Sequence, residues 1–208
     1  YPGYHGLGYY NQQNAARVDR LLELAEEHGI YVNLEMFNHG SVSTLIDRDW
    51  RDNPMNRKHP GGFLRYATEF FEHPMAQDLH RRKLRYMIAR WGYSPAIAVW
   101  GLMTETEWAE AYFRGLSWVR SKQMQRRPDV PHPYHTKEHM DSVRKWLLQT
   151  SAYVKETDAH PHLVTTHFSN PGNGTEMWHR DGLDVVHNNA YTMFANIWQR
   201  HRFRSSSS

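Results

Sequence analysis

The chain has 208 residues, of which 39% are hydrophobic and 23% charged, enough for one domain with a substantial core and too few for two large ones. Its net charge of +3 arises from 25 basic and 22 acidic residues spread along the sequence, without the clustered basic face that nucleic acid requires, and no apolar run reaches membrane-spanning length. With no cysteine there are no disulfides, thiolate metal sites or cysteine nucleophile, while 15 histidines and 28 aromatic residues (8 Trp, 12 Tyr and 8 Phe) are left to carry chemistry and recognition.

In chain order, Asn11 to His28 reads as an amphipathic helix with Val18, Leu21, Leu22 and Ala25 on one face and Gly29 as its stop. Ile30 to Phe37 follows as a strand, with Val32, Leu34 and Met36 outward and Asn33, Glu35 and Phe37 inward. A long loop from Asn38 to about Glu72 precedes a helix over Pro74–Trp91, which buries Leu84, Met87, Ile88 and Trp91. The second strand spans Ala96–Met103, and a further long loop, from Thr104 to about His135, leads to a third helix capped by Thr136 and burying Met140, Val143, Leu147 and Val154. His162–His167 and Leu183–His187 read as the third and fourth strands, and the tail beyond Met193 as helical up to the terminal serines.

Alternation of this kind predicts an α/β fold: about four parallel strands with crossover helices, a partial (β/α)8 or TIM barrel. One domain over residues 1–204 and a disordered Ser tail at 205–208 are expected. Helix-to-strand connections are short and the others long, so elaboration collects at the carboxyl ends of the strands, where such folds carry their sites. There the alternation gathers Glu105, His167, Asn189 and Tyr191, with His39 as a further candidate. Trp50, Trp108, Trp118 and Trp178 fall in loops on the same side, either as platforms for sugar rings or as small cores that pin those loops. No metal is expected: His135 and His139, or His160 and His162, lack a carboxylate completing a three-ligand pattern.

The segment Ala98-Val-Trp-Gly-Leu-Met-Thr-Glu105, with the Leu84–Pro95 stretch before it, resembles the fourth strand and preceding helix of clan A glycoside hydrolases of the cellulase and mannanase type. That strand reads roughly Trp-Glu-Leu-x-Asn-Glu, so Trp100 and Leu102 match its Trp and Leu, and Glu105 matches the general acid/base. Tyr10 to Asp19, Trp50, Asn53-Pro54, Gly61-Gly62, Phe70-Phe71, Asp158 to Thr166 and Asp184 with Tyr191 extend the resemblance from the second helix to the sixth strand. The sequence departs from the pattern at Thr104, where the clan prefers the Asn that binds a sugar hydroxyl, at Gly101, which replaces an inward Glu, and at Asn189, which replaces a His.

The resemblance implies a retaining hydrolase of β-linked glucan- or mannan-type poly- or oligosaccharides, secreted to the extracellular or periplasmic space and needing no cofactor. Glu105 would be its acid/base, and His39, Trp50, Thr104, Trp108, His167, Asn189 and Tyr191 its substrate contacts. The family nucleophile stands at the end of the seventh strand, beyond this match, which leaves Glu35 as the first in-chain candidate for a second carboxylate, with Asp47 and Asp49 as unmatched alternatives. The start at Tyr1, without methionine or a signal-like segment, suggests a processed or truncated product. A homodimer of half-barrels or a separate segment would complete the sheet, with carbohydrate as the partner and neither nucleic acid nor membrane. The other reading is a non-catalytic carbohydrate-binding or scaffold half-barrel derived from a glycosidase.

Overall fold

The computed structural model describes residues 6–115, 137–170, 172–178 and 180–189. Helix α1 (Gln12–His28) leads to β1 (Val32–Glu35), and α2 (Pro74–Trp91) leads to β2 (Ile97–Gly101). A short α3 (Glu110–Gly115) and the long α4 (Lys137–Thr157) precede β3 (Leu163–Phe168), and β4 (Val185–Asn188) is the last element described. The four strands pair in sequence order, all parallel. The expected Thr136 cap, the tail beyond Met193 and the Ser tail lie outside the described residues.

Local chemistry explains the helix ends. The Asn11 side chain accepts the Asn14 N–H and caps α1. At the other end Gly29 takes the left-handed conformation (φ 65°), so that its own N–H reaches Glu26 O and the Ile30 N–H reaches Ala25 O. Pro74 occupies the first turn of α2, where its missing N–H costs nothing, and the His73 ring accepts the Met75 N–H. The buried stripe of α2 is the expected one, Leu84, Met87, Ile88 and Trp91. On α1 it is Ala15, Leu22 and Ala25, with Val18 at its margin, while Leu21 faces solvent.

Parallel register gives the sheet two unlike faces. Leu34, Met36, Trp100, Leu102, Val164 and Phe168 belong to the core beneath the helices. There the Trp100 indole donates to Asp158 Oδ2 at 2.7 Å, just past the end of α4, and the same oxygen lies 2.7 Å from His162 Nδ1. The other face carries Asn33 and Glu35, Val99 and Gly101, Leu163, Thr165 and His167, then Val185, His187 and Asn189.

Phe37 departs from the expected alternation. β1 ends at Glu35, and two residues later the ring packs edge-on against Phe70, His80 and Trp146 on the helical side, at 5.9, 5.2 and 5.2 Å. The Lys83 ammonium lies 4.3 Å from the centre of that ring and donates to Met36 O at 2.6 Å; its burial pulls its pKa down to about 8. The stretch between β1 and α2 is also more structured than a plain loop. It folds into 3-10 turns at His39–Val42, Asp49–Asp52 and Ala67–Phe71, and it buries Val42, Leu64 and Phe71.

Helices α1 and α2 are clamped by Asp19. Its carboxylate receives Arg90 Nε at 3.0 Å, Arg90 Nη2 at 2.6 Å and the Trp91 indole at 2.7 Å, and these donors hold its pKa down to about 2. Because the folded pKa lies below the unfolded one, this stabilisation is complete above pH ~4 and is lost as the pH falls toward the folded value. Asp19→Asn should therefore melt below the wild type at pH 6, with the gap closing between pH 4 and 2; thermal melts across that range check it.

Candidate active site

Glu105 sits just beyond the carboxyl end of β2 in the left-handed region, at φ 33° and ψ 61°. For a residue with a β-carbon this costs about 1–3 kcal/mol, and such strain persists only where neighbours impose it. Here the neighbours are two threonines. The Thr104 N–H donates to Phe37 O at 3.1 Å, and its hydroxyl accepts the His39 N–H at 3.1 Å and lies 2.9 Å from His39 Nδ1. On the other side, the Thr106 hydroxyl bonds that of Thr166 on β3 at 2.7 Å. Anchored to the loop after β1 on one flank and to β3 on the other, the backbone presents Glu105 between them.

Across the sheet, Asn189 Nδ2 donates to Glu105 Oε1 at 3.3 Å, while the Asn189 N–H is fixed to Phe168 O at 2.8 Å. Two of the expected site residues, from β2 and from just past β4, are thus brought together. His167 lies between their strands. Burial alone would lower the pKa of its ring, but the nearby Glu35 carboxylate, with Asn189 and Glu105, outweighs burial and raises it. His187 stacks on His167 with ring centroids 4.4 Å apart, and burial followed by the charge of His167 lowers its pKa.

Glu35 reaches His167 by crossing over β2. Its Oε1 lies 3.2 Å from His167 Nε2 and accepts Asn33 Nδ2 at 3.1 Å. A β-carbon on Gly101 would stand 2.2 Å from the Glu35 carboxylate, so the glycine leaves the space that the carboxylate fills. The departure at Gly101 is explained in the same way: at this level of the inner face the acid comes from β1 rather than β2. Among the described residues, Glu35, His167 and His187 form one group whose donor atoms all lie within 4.8 Å of one another and could hold a metal ion. The expectation of no metal rested on histidines close in sequence, whereas this group draws its donor atoms from three strands.

The other expected contacts are placed differently. His39 is buried and spans Thr104 and Asp47, with Nε2 2.9 Å from Asp47 Oδ2; a ring protonated at Nε2 that accepts the Thr104 hydroxyl at Nδ1 satisfies both contacts. Trp50 is only 7% exposed and packs into the core, so it offers no open face to a sugar, and the reading of this residue as a platform gives way to loop pinning. The Trp108 ring is half-buried against Phe113, with centroids 5.4 Å apart, and its indole donates to Ser169 Oγ at 2.8 Å. Trp178 is half-buried, and Trp118 and Tyr191 lie outside the described residues. A cavity of about 450 Å³ lies elsewhere, on the helical side of β1, lined by Tyr10, Phe37, Asp49, Asp52 and Lys83 among others.

Glu107, too close in sequence to Glu105 to share its role, organises the loop after β3. Fully buried, its Oε1 accepts the Ser169 N–H at 2.7 Å, the Ser169 hydroxyl at 3.0 Å and the Asn170 N–H at 2.9 Å. Truncation would leave these donors unpaired. Glu107→Ala should lower stability by about 3 kcal/mol, and Glu107→Gln, which keeps an acceptor, by about 1 kcal/mol, read from urea midpoints.

The resemblance read from the motif has a counterpart among known proteins. No protein-family model matches the chain. Over 150 residues, 72% of this chain, the sequence is 23% identical to mannan endo-1,4-beta-mannosidase F of Aspergillus clavatus, and the matched stretch covers 26% of that protein. The chain therefore spans about a quarter of the relative it matches, and it is distantly similar to a glycoside hydrolase.

Proposed function

We propose that the chain is the central part of a retaining glycoside hydrolase barrel of clan A type, acting on β-linked poly- or oligosaccharides of the glucan or mannan class, with Glu105 as general acid/base. The observation that carries the reading is the strained, doubly anchored presentation of Glu105 at the carboxyl end of a parallel strand, facing Asn189. Glu105 protonates the glycosidic oxygen as the bond breaks and later takes a proton from the attacking water. Asn189 orients its carboxyl group. His167, whose ring feels the Glu105 charge, lies at the mouth of the site and Trp108 borders it, and Tyr191 is assigned to substrate binding by the sequence resemblance alone.

Retaining hydrolysis needs a second carboxyl group about 5–5.5 Å from the first. Glu35, the in-chain candidate, is engaged by Asn33 and lies against His167, so in this proposal the nucleophile comes from outside the chain. The sheet supports that reading. Parallel sheets are covered on both faces, yet Leu163 and Val185 on the inner face remain 47% and 36% exposed. Further strands, from a continuing segment or a second copy, would cover them and pair the edges of β1 and β4, which have no strand partner among the described residues. No described helix is long and apolar enough to cross a membrane. Export to the extracellular or periplasmic space follows from the similarity alone.

Engagement of the Thr104 hydroxyl by His39 favours a second reading, a carbohydrate-binding or scaffold half-barrel without turnover, because that hydroxyl stands where the clan holds a sugar. Activity decides between the two. In its full-length context, Glu105→Gln should slow hydrolysis of an unactivated β-linked oligosaccharide by about 10²–10⁴-fold and that of an aryl glycoside with a good leaving group far less. Equal rates for variant and wild type would overturn the role of Glu105, and glycan binding without products from the wild type would establish the binding module.

A further inference from the structure

We propose that Glu35, His167 and His187 form a binding site for a divalent cation of the zinc or cobalt class, set in the inner face of the sheet and independent of the role of Glu105. The three donors come from β1, β3 and β4, and their ligand atoms lie within 4.8 Å of one another. Glu35 Oε1 and His167 Nε2 are already 3.2 Å apart. Bonds of about 2.0–2.1 Å in a tetrahedral shell place neighbouring donors about 3.3–3.4 Å from each other, so this pair forms one edge of the polyhedron as it stands. A rotation of the His187 ring out of its stack with His167 brings in the third donor.

The bonding of the three residues points to a missing electrophile. Glu35 Oε2 and His167 Nδ1 are shielded from solvent and make no hydrogen bond of acceptable geometry with the described residues, while His167 Nε2 lies 3.2 Å from Glu35 Oε1. Such orphaned groups are expensive to bury, and a cation is the partner that a carboxylate and an imidazole lone pair share. The Asn33 amide nitrogen marks the place. It donates to Glu35 Oε1 at 3.1 Å and lies 3.3 Å from His187 Nδ1, so acceptors from β1 and β4 already converge on one electropositive group.

Donor chemistry sets the class of ion. Two imidazoles and one carboxylate suit zinc, cobalt or nickel, whereas calcium and magnesium require shells of oxygen, and the chain has no cysteine to build a thiolate site. The protein supplies three ligands, and His187 is only partly buried, so a fourth position opens toward solvent. The site depends on Gly101, because any side chain there would occupy the path by which the Glu35 carboxylate crosses β2.

The test reads metal binding, without any assay of hydrolysis. The full-length protein is stripped with a chelator and dialysed against Co²⁺ or Zn²⁺; bound metal is counted by elemental analysis and the cobalt form is examined for visible d–d absorption. One ion per chain with a tetrahedral cobalt spectrum is expected, with affinity falling at least tenfold in Glu35→Gln, His187→Asn and Gly101→Ala. The variant His160→Asn, away from the triad, should bind as the wild type does. Absence of the cobalt spectrum in the folded wild type overturns the proposal even if the variants fail to fold. So does binding that survives in folded Glu35→Gln and His187→Asn and is lost in His160→Asn, which would locate the ion among the other histidines.

Discussion

A β-carbon at position 101 would stand 2.2 Å from the Glu35 carboxylate, and much of the inner face follows from its absence. In a parallel sheet, side chains at one level on adjacent strands stand beside each other, so a carboxylate on β1 ordinarily meets whatever β2 carries. Here β2 carries nothing. Glu35 leans across the gap to His167 on β3, and Asn33, two residues earlier on the same face, supports both Glu35 and His187. A charged and polar network thus spans four strands at a depth where an apolar layer would be the simpler solution. Burial of that kind calls for full pairing of its members. The unpaired atoms of Glu35 and His167 are where the network remains incomplete.

The presentation of Glu105 shows how local strain is held by distant contacts. A left-handed conformation costs about 1–3 kcal/mol, and each hydrogen bond formed on folding returns about 0.5–1.5 kcal/mol. One bond would be a poor match. The flanking threonines make several, to Phe37 and His39 on one side and to Thr166 on the other, and together these exceed the strain. Thr104 is therefore more than a departure from an Asn in the clan pattern. Its hydroxyl fastens the end of β2 to the loop after β1, a role for which the short side chain is suited.

Elements whose signals are local were legible in the sequence. The ends of α1 and α2 follow from Asn11, Gly29 and Pro74, and the stripe Leu84, Met87, Ile88 and Trp91 from a period of 3.6 residues. Four parallel strands in sequence order followed from the alternation of helix and strand. What escaped depends on contacts far apart in the chain. Phe37 was given to the inner face by counting in twos, but the count stops when the strand stops, and the ring turns to the helices. Trp50 reads as a loop aromatic because nothing nearby in sequence reveals the core that buries it. Glu107 serves amides more than 60 residues away, and the triad of Glu35, His167 and His187 is created by register alone. A carboxylate between Leu34 and Met36 was the one local hint, since an acid in mid-strand needs a partner somewhere.

Register also bears on what would complete the barrel proposed above. Each parallel strand added to a barrel contributes alternate side chains to an interior that must be filled from all around. On the outer face of this sheet Trp100 and Phe168 are fully buried, while Val186 on β4 is exposed. On the inner face polar and apolar side chains share rows, Asn33 with Leu163 and Glu35 with Val185, and both of these apolar residues still face water. Hydrophobic burial therefore favours closure by partner strands. The polar network beside them resists collapse onto an arbitrary apolar surface, because an unmatched partner would leave Glu35 and His167 more deeply desolvated and no better paired. The same residues that make the inner face chemically capable thus restrict what can complete it: by register Glu35 and Val185 stand in one row, so in the proposed barrel a completing segment meets a polar and an apolar group side by side.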